Sequence, residues 1–258
     1  MMIADQERDT SVDAVLGGRL RLRQPLKGHR VGHDAILLAA ATGGRAGEHA
    51  VELGAGVGAA GLALAARVEG LKVTLVEIDP TLAALATGNA RLNALDARVT
   101  VVCADVGSTS ALSAAGLAAG GFDRVLMNPP FRDPARQNVS PDPRRRLAHV
   151  GAPDLLRRWV ASAAWLLRPG GILTLIWPAD RRDEVREALA PDFGAITVLP
   201  VHPRPDKPAI RVLVRAVRGA GTAPVELARL DLNDLQGRPS AAAEAVLRGG
   251  EPLSLADG

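Results

Sequence analysis

At 258 residues, 47% of them hydrophobic, the chain can bury one full core and suits a single α/β domain with additions better than two independent ones. Its lone cysteine, Cys103, excludes an intramolecular disulfide and, with five scattered histidines, offers no metal-ligand spacing, so a reducing compartment and no metal are expected. The formal net charge is only +3 and the longest apolar run, Ala35 to Ala41, is far too short to cross a bilayer, which leaves a soluble, unprocessed, cytoplasmic protein as the expectation.

The chain opens on a polar stretch, turns at Gly17-Gly18, and alternates through Leu20-Arg21-Leu22-Arg23 as a small strand. Asp34 to Ala41 reads as a lid-like helix. From about residue 50, short apolar runs alternate with helix-like stretches, the pattern of a parallel sheet wrapped by helices. The spacing predicts a strand at His49 to Leu53, a helix at Ala59 to Val68, a strand at Lys72 to Val76 and a helix at Pro80 to Ala94 with proline in its first turn. Val99 to Cys103 is the third strand, Ser108 to Ala119 a weak Ala/Ser-rich helix and Asp123 to Met127 the fourth strand. The irregular Asn128 to Gly151 that follows is long for a loop, and such loops are usually functional or disordered. Leu155, Leu156, Trp159, Val160, Ala163 and Leu167 share one helical face, which Arg168-Pro169-Gly170-Gly171 stops. Ile172 to Trp177 is strand five, and a helix near Asp180 to Ala190 precedes two strands, Ile196 to Leu199 and Ile210 to Val217. A loop separates these two, so they form a closing antiparallel hairpin on a seven-stranded, mostly parallel sheet with helices on both faces. The Ala/Gly-rich tail from Gly219 gives little further pattern.

Directly after the first parallel strand comes Glu52-Leu53-Gly54-Ala55-Gly56-Val57-Gly58, a glycine-rich turn opening a helix. Glycine lets backbone amides approach a ligand, and a helix N-terminus favours negative charge. The register also fits a dinucleotide fingerprint, so the turn alone leaves NAD and an adenosyl cofactor open. Strand two ends in Glu77-Ile78, where a carboxylate can accept both ribose hydroxyls, and strand three ends near Asp105-Val106, where a second carboxylate can accept from an adenine amino group. Two acids so spaced suit S-adenosyl-L-methionine better. The expected cofactor site is therefore Asp34, Glu52, Gly54, Gly56, Gly58, Glu77, Ile78, Asp105 and Val106.

The most specific signal is Asn128-Pro129-Pro130-Phe131, where strand four ends. An aromatic amine is a poor nucleophile because its lone pair is delocalised into the ring. Two acceptors, the Asn128 side-chain oxygen and the Pro129 carbonyl, can each take an N–H bond and concentrate density on nitrogen. The prolines stiffen the turn, and Phe131 offers a face to a planar substrate that has left its stack.

With these residues in place the chain resembles the class I, Rossmann-like methyltransferases, and among them the family of the bacterial tRNA(Val) adenine-37 N6-methyltransferase. The resemblance runs from about Leu20 to Val217. It includes Gly28-His29-Arg30-Val31-Gly32-His33-Asp34-Ala35-Ile36-Leu37-Leu38 and Lys207-Pro208-Ala209-Ile210-Arg211-Val212-Leu213-Val214. It implies an S-adenosyl-L-methionine-dependent N-methyltransferase acting on tRNA adenine, with Asp34 near the methionine part of the donor. The residue before that aspartate is commonly Thr in the family and is His33 here. The division that follows is an N-terminal hairpin and lid-like helix (1–45), a methyltransferase core (46–218) and a C-terminal extension (219–258).

Relatives with the same motif methylate guanine N2 in rRNA or glutamine N5 in release factors, so substrate choice falls to the periphery. The sequence pattern gives no N-terminal helical recognition domain of the protein-modifying kind. A non-catalytic cofactor- or RNA-binding module also stays open and, more remotely, so does a dinucleotide oxidoreductase. Three lysines among 31 basic residues leave 28 arginines, a total that a GC-rich genome also explains, so only clustering carries weight. Arg132, Arg136, Arg144, Arg145 and Arg146, facing Asp133 and Asp142, together with Arg204, Lys207, Arg211, Arg215 and Arg218, form the expected phosphate-binding rim for RNA.

Overall fold

The computed structural model describes residues 9–27, 30–131 and 152–257. In chain order the elements are β1 (Thr10–Val15), β2 (Leu20–Pro25), α1 (His33–Ala41), β3 (His49–Leu53), α2 (Ala59–Arg67), β4 (Lys72–Glu77), α3 (Pro80–Leu92), β5 (Val99–Cys103), α4 (Thr109–Ala114) and β6 (Phe122–Met127). After them come α5 (Ala152–Leu166), β7 (Leu167–Pro178), α6 (Arg182–Leu189), β8 (Phe193–His202), β9 (Arg211–Arg218), β10 (Val225–Glu226), β11 (Leu230–Asp231) and α7 (Ala241–Leu247).

The main sheet runs β10-β8-β9-β7-β6-β3-β4-β5, with β11 also paired to β8. Its five central strands are parallel and β9 is antiparallel to both β7 and β8, so the expected seven-stranded sheet with a closing hairpin is present. The two-residue strands β10 and β11 lengthen it on β8. Side chains alternate between two cores. Ala50, Val73, Leu75 and Leu126 face the layer of α1, α2 and α3, while Val51, Val76, Val125 and Met127 face that of α5 and α6. Burial on both faces explains why these strands read as continuous apolar runs.

Several elements differ from the sequence expectation, among them β8, which runs over Phe193–His202 where the sequence pattern gives Ile196 to Leu199. β1, the partner strand of the N-terminal hairpin, to which the sequence pattern gives no bounds, pairs with β2 from Thr10 opposite Pro25 to Val15 opposite Leu20. Its alternation is muted because neither face of β1 is fully covered. The weak helix shrinks to α4, with Ser108 as its cap and Gly116 at φ 89° beyond its end. β7 begins at Leu167, so the Arg168 to Gly171 segment that stops α5 is itself the irregular start of a strand. The tail past Gly219 also packs. Leu230, Val246, Leu253 and Leu255 join the core that holds Ile36 and Leu62, and the Leu253 amide donates to the Ala40 carbonyl at 2.8 Å.

Two asparagines one helical turn apart pin the hairpin to α3. Asn89 accepts from the Arg23 amide at 2.7 Å and donates to the Arg23 carbonyl at 2.9 Å, and Asn93 does the same for Arg21 at 2.8 and 2.7 Å. Four helical residues advance about 6 Å and two strand residues about 6.6 Å, so the two side chains meet alternate strand residues in register.

Candidate functional site

Strands β3, β4 and β5 step outward in one direction, and the chain then returns through α4 to place β6 on the other side of β3. The crevice between β3 and β6 is the topological switch point, where open α/β sheets bind ligands at the strand C-termini. Along that edge, in spatial order, come the Asn128 turn after β6, the glycine turn after β3, Glu77 ending β4 and Asp105 just past β5. Three strand spacings span roughly 14 Å, room for an extended nucleoside-like ligand laid across the edge.

The glycines of the turn have different roles. A Cβ on Gly54 would lie 2.3 Å from the Trp159 ring, so this position admits the indole of α5 and serves packing. Gly56, at φ 57°, has nothing within 4 Å of where a Cβ would stand, and there the backbone is open to a ligand. Gly58 is the N-cap of α2 and has no side chain to offer its amides. Glu52 supplies the cap from the strand beneath, accepting the Gly61 amide at 2.7 Å. It is only 5% exposed. Burial pushes its carboxyl up to about 8, against the pull of the Gly61 amide and with the negative charge of Glu77 adding to the rise.

Glu77 is 7% exposed and accepts the Gly56 amide at 2.7 Å and the Asp79 amide at 2.9 Å, one on each oxygen. A carboxylate has about four acceptor positions, so two remain for a diol. Ile78 beside it is 62% exposed, an apolar surface at the lip. Asp105 is half exposed, takes the Gly107 amide at 2.8 Å and lies 3.9 Å from Arg158 of α5. Val106 is buried in the α5-side core, which leaves only its backbone for a ligand.

In the turn after β6, the Asn128 Oδ1 is buried without a hydrogen-bond partner among the described residues. Leaving such an acceptor unpaired costs about 1–3 kcal/mol, and folds keep few of them. Pro129 is buried, Pro130 exposed and Phe131 half-buried. The Phe131 ring meets the edge of Trp177 at 5.9 Å and an interplanar angle of 76°, and the Arg211 guanidinium lies over it at 4.7 Å. Arg181 donates to the Phe131 carbonyl at 3.1 Å, sits 5.2 Å from the Trp177 ring and pairs with Glu184 at 2.8 Å. Asp34, in the first turn of α1, accepts from Arg211 Nε at 2.9 Å.

The expected rim divides. Arg204 and Lys207 share Asp206, at 3.2 and 3.8 Å, the first half-exposed and the second exposed. Arg211 turns inward to Asp34 and Phe131. Arg215 and Arg218 leave the edge altogether, because β9 runs away from it and carries them about 13 and 23 Å along the strand. Arg132, Arg136, Arg144, Arg145 and Arg146 lie outside the described residues, as do Gly28 and His29. The sequence pattern singles out neither Trp177 nor Arg181. The scarcity of aromatics, with three Trp in the chain, is a signal for the first, and nothing local marks the second. Among the described residues no cluster of His, Cys, Asp and Glu could hold a metal ion, and no helix is long and apolar enough to cross a membrane.

Residues 32–203 match the family model described as "Methyltransferase small domain". Over 161 residues the chain is 34% identical to the tRNA1(Val) (adenine(37)-N6)-methyltransferase of Porphyromonas gingivalis, covering 61% of this chain and 62% of that protein. It is 30% identical over 163 residues to the release factor glutamine methyltransferase of Chlorobaculum tepidum, covering 61% of this chain and 54% of that one. Among solved structures, a predicted O-methyltransferase of Agrobacterium tumefaciens superposes with a TM-score of 0.73 at 31% identity, over 85% of this chain and 98% of that one. The chain thus spans 62% or less of the length of these two curated relatives.

Proposed function

The chain belongs to the methyltransferase small domain family, and on that footing we propose that it is an S-adenosyl-L-methionine-dependent N-methyltransferase whose acceptor is the exocyclic N6 of an adenine in tRNA. The observation that carries this reading is the buried Asn128 Oδ1 at the switch-point crevice, without a partner among the described residues. An acceptor kept desolvated and unpaired beside a ligand groove is suited to an N–H donor that arrives with the substrate.

The residues fit the donor molecule: Glu77 keeps two acceptor positions for ribose hydroxyls, Gly56 leaves the backbone open, and Ile78 offers an apolar flank. When bound, S-adenosylmethionine supplies an electrophilic methyl group on a sulfonium centre. Asp105 is in reach of the far end of the groove, for an adenine amino group. Asn128 Oδ1 and the Pro129 carbonyl would accept the two amine N–H bonds, holding the amine and concentrating electron density on its nitrogen. The amine proton becomes acidic only after nitrogen gains its methyl, so no base need act beforehand. Phe131 borders the acceptor plane.

Support for RNA comes from the P. gingivalis relative and from the half-exposed Arg204 and exposed Lys207 of the β8–β9 loop. The five arginines between residues 132 and 146 add positive charge next to the acceptor motif in sequence. We assign the protein to the cytoplasm, with tRNA. Incubating it with labelled donor and total tRNA, followed by nucleoside mass spectrometry, is expected to yield N6-methyladenosine at one site. Label entering a translation-factor glutamine and no RNA would replace this reading.

A further inference from the structure

Resting on the methyl-transfer reading above, we propose that Arg211 is a positioning residue of the transfer step, acting through Phe131 and Asp34 and not by holding phosphate. Its Nε lies 2.9 Å from the Asp34 carboxylate, and its guanidinium carbon lies 4.7 Å from the Phe131 ring centre. The paired side chains are 25% and 27% exposed, so water screens the contact only in part.

A guanidinium that stacks on a ring while bonding a carboxylate in its own plane is fixed in two directions at once. Lysine could keep the charge and lose the plane. Phe131 is held on two further sides, by the edge of Trp177 at 5.9 Å and by Arg181 on its carbonyl at 3.1 Å. Only Pro129 and Pro130 separate it from Asn128, and proline holds φ near one value. Fixing Phe131 therefore fixes the path on which the Asn128 oxygen is presented. The other end of the clamp is α1, the helix expected beside the donor. Arg211 thus ties the acceptor turn to the donor side of the crevice, and a displacement of about 1 Å between reacting groups costs on the order of a hundredfold in rate.

The test is steady-state transfer to tRNA by wild type, Arg211→Lys, Arg211→Met, Asp34→Asn and the Asp34→Asn/Arg211→Met double variant, with thermal melting of all five. Arg211→Met is expected to lower kcat by about ten- to a hundredfold, with the KM for tRNA within about twofold of wild type. Arg211→Lys recovers part of the loss, and the double variant is no slower than the slower single one. A raised KM with kcat preserved and a shallower salt dependence would make Arg211 a phosphate contact and overturn the proposal. Additive losses in the double variant would do the same. A wild type that methylates no RNA would instead fail the functional reading, whereas additive Tm changes for residues 34 and 211 in an active wild type would by themselves overturn the clamp.

Discussion

Glu52 and Glu77, on neighbouring parallel strands, hold the glycine turn and the helix it opens: Glu52 accepts the Gly61 amide of α2 and Glu77 the Gly56 amide of the turn, each at 2.7 Å. Their surroundings divide the labour. Glu52 is enclosed beneath the turn and braces the first turn of α2, while Glu77 faces the open Gly56 and keeps acceptor positions to spare.

The Glu52 carboxyl, raised to about 8 in the fold by burial against an ordinary value of 4.5, makes stability depend on pH. Between those two values the folded state keeps a proton that the unfolded chain has released, so stability falls as pH rises from about 4.5 to about 8. Glu52→Gln removes that titration, and its Tm should decline less than that of wild type between pH 5 and pH 8, by an amount of the order of a few kcal/mol in stability. Equal slopes in the two proteins would show that Glu52 does not titrate in this window.

Replacing Glu77 by alanine removes the proposed ribose acceptor and one partner of the Gly56 amide. Charged hydrogen bonds of this kind contribute about 1.5–3 kcal/mol, so affinity for S-adenosylhomocysteine should fall roughly ten- to a hundredfold by calorimetry. An unchanged affinity would place the adenosyl group elsewhere.

Asn128→Ala deletes the oxygen, unpartnered among the described residues, on which the proposed chemistry depends. Loss of one such preoriented group lowers kcat by about a hundred- to a thousandfold, whereas the Tm gain on adding S-adenosylhomocysteine should persist. Near-normal turnover in this variant would refute polarisation of the amine by Asn128.

Asn89 is fully buried and serves both the Arg23 backbone and the Val57 carbonyl at 3.0 Å. Asn89→Ala strands those groups, and the fold should lose about 1–3 kcal/mol. Hydrogen exchange at the Arg23 amide should quicken with it. Unaltered protection there would mean that Asn93 and the buried Leu20 and Leu22 side chains hold the hairpin without Asn89.

The sheet is legible in the sequence because its strands write themselves locally. His49–Leu53 and Lys72–Glu77 are short apolar runs bounded by turns, buried on both faces, and glycines open the helix that follows the first. The motif Asn128 to Phe131 and the acids Glu77 and Asp105 can be placed for the same reason, since each ends a strand that the pattern locates. β1 has no legible bounds, because its half-buried face carries the polar Ser11 and Asp13 beside Val15 while the apolar Val12 and Ala14 are exposed, so polarity does not follow burial.

Local sequence thus sets the order of strands and helices, and with it which residues reach the edge where a ligand can lie. Packing across the fold assigns the rest: Arg211 belongs to Asp34 and Phe131 and not to the rim, Glu52 lies beneath the turn, and Gly54 is filled by Trp159 while Gly56 stays open. The reason is range. A strand or a turn is set by neighbours a few residues away, whereas a contact such as Arg211 to Asp34 joins positions 177 residues apart and leaves no periodic trace in either segment.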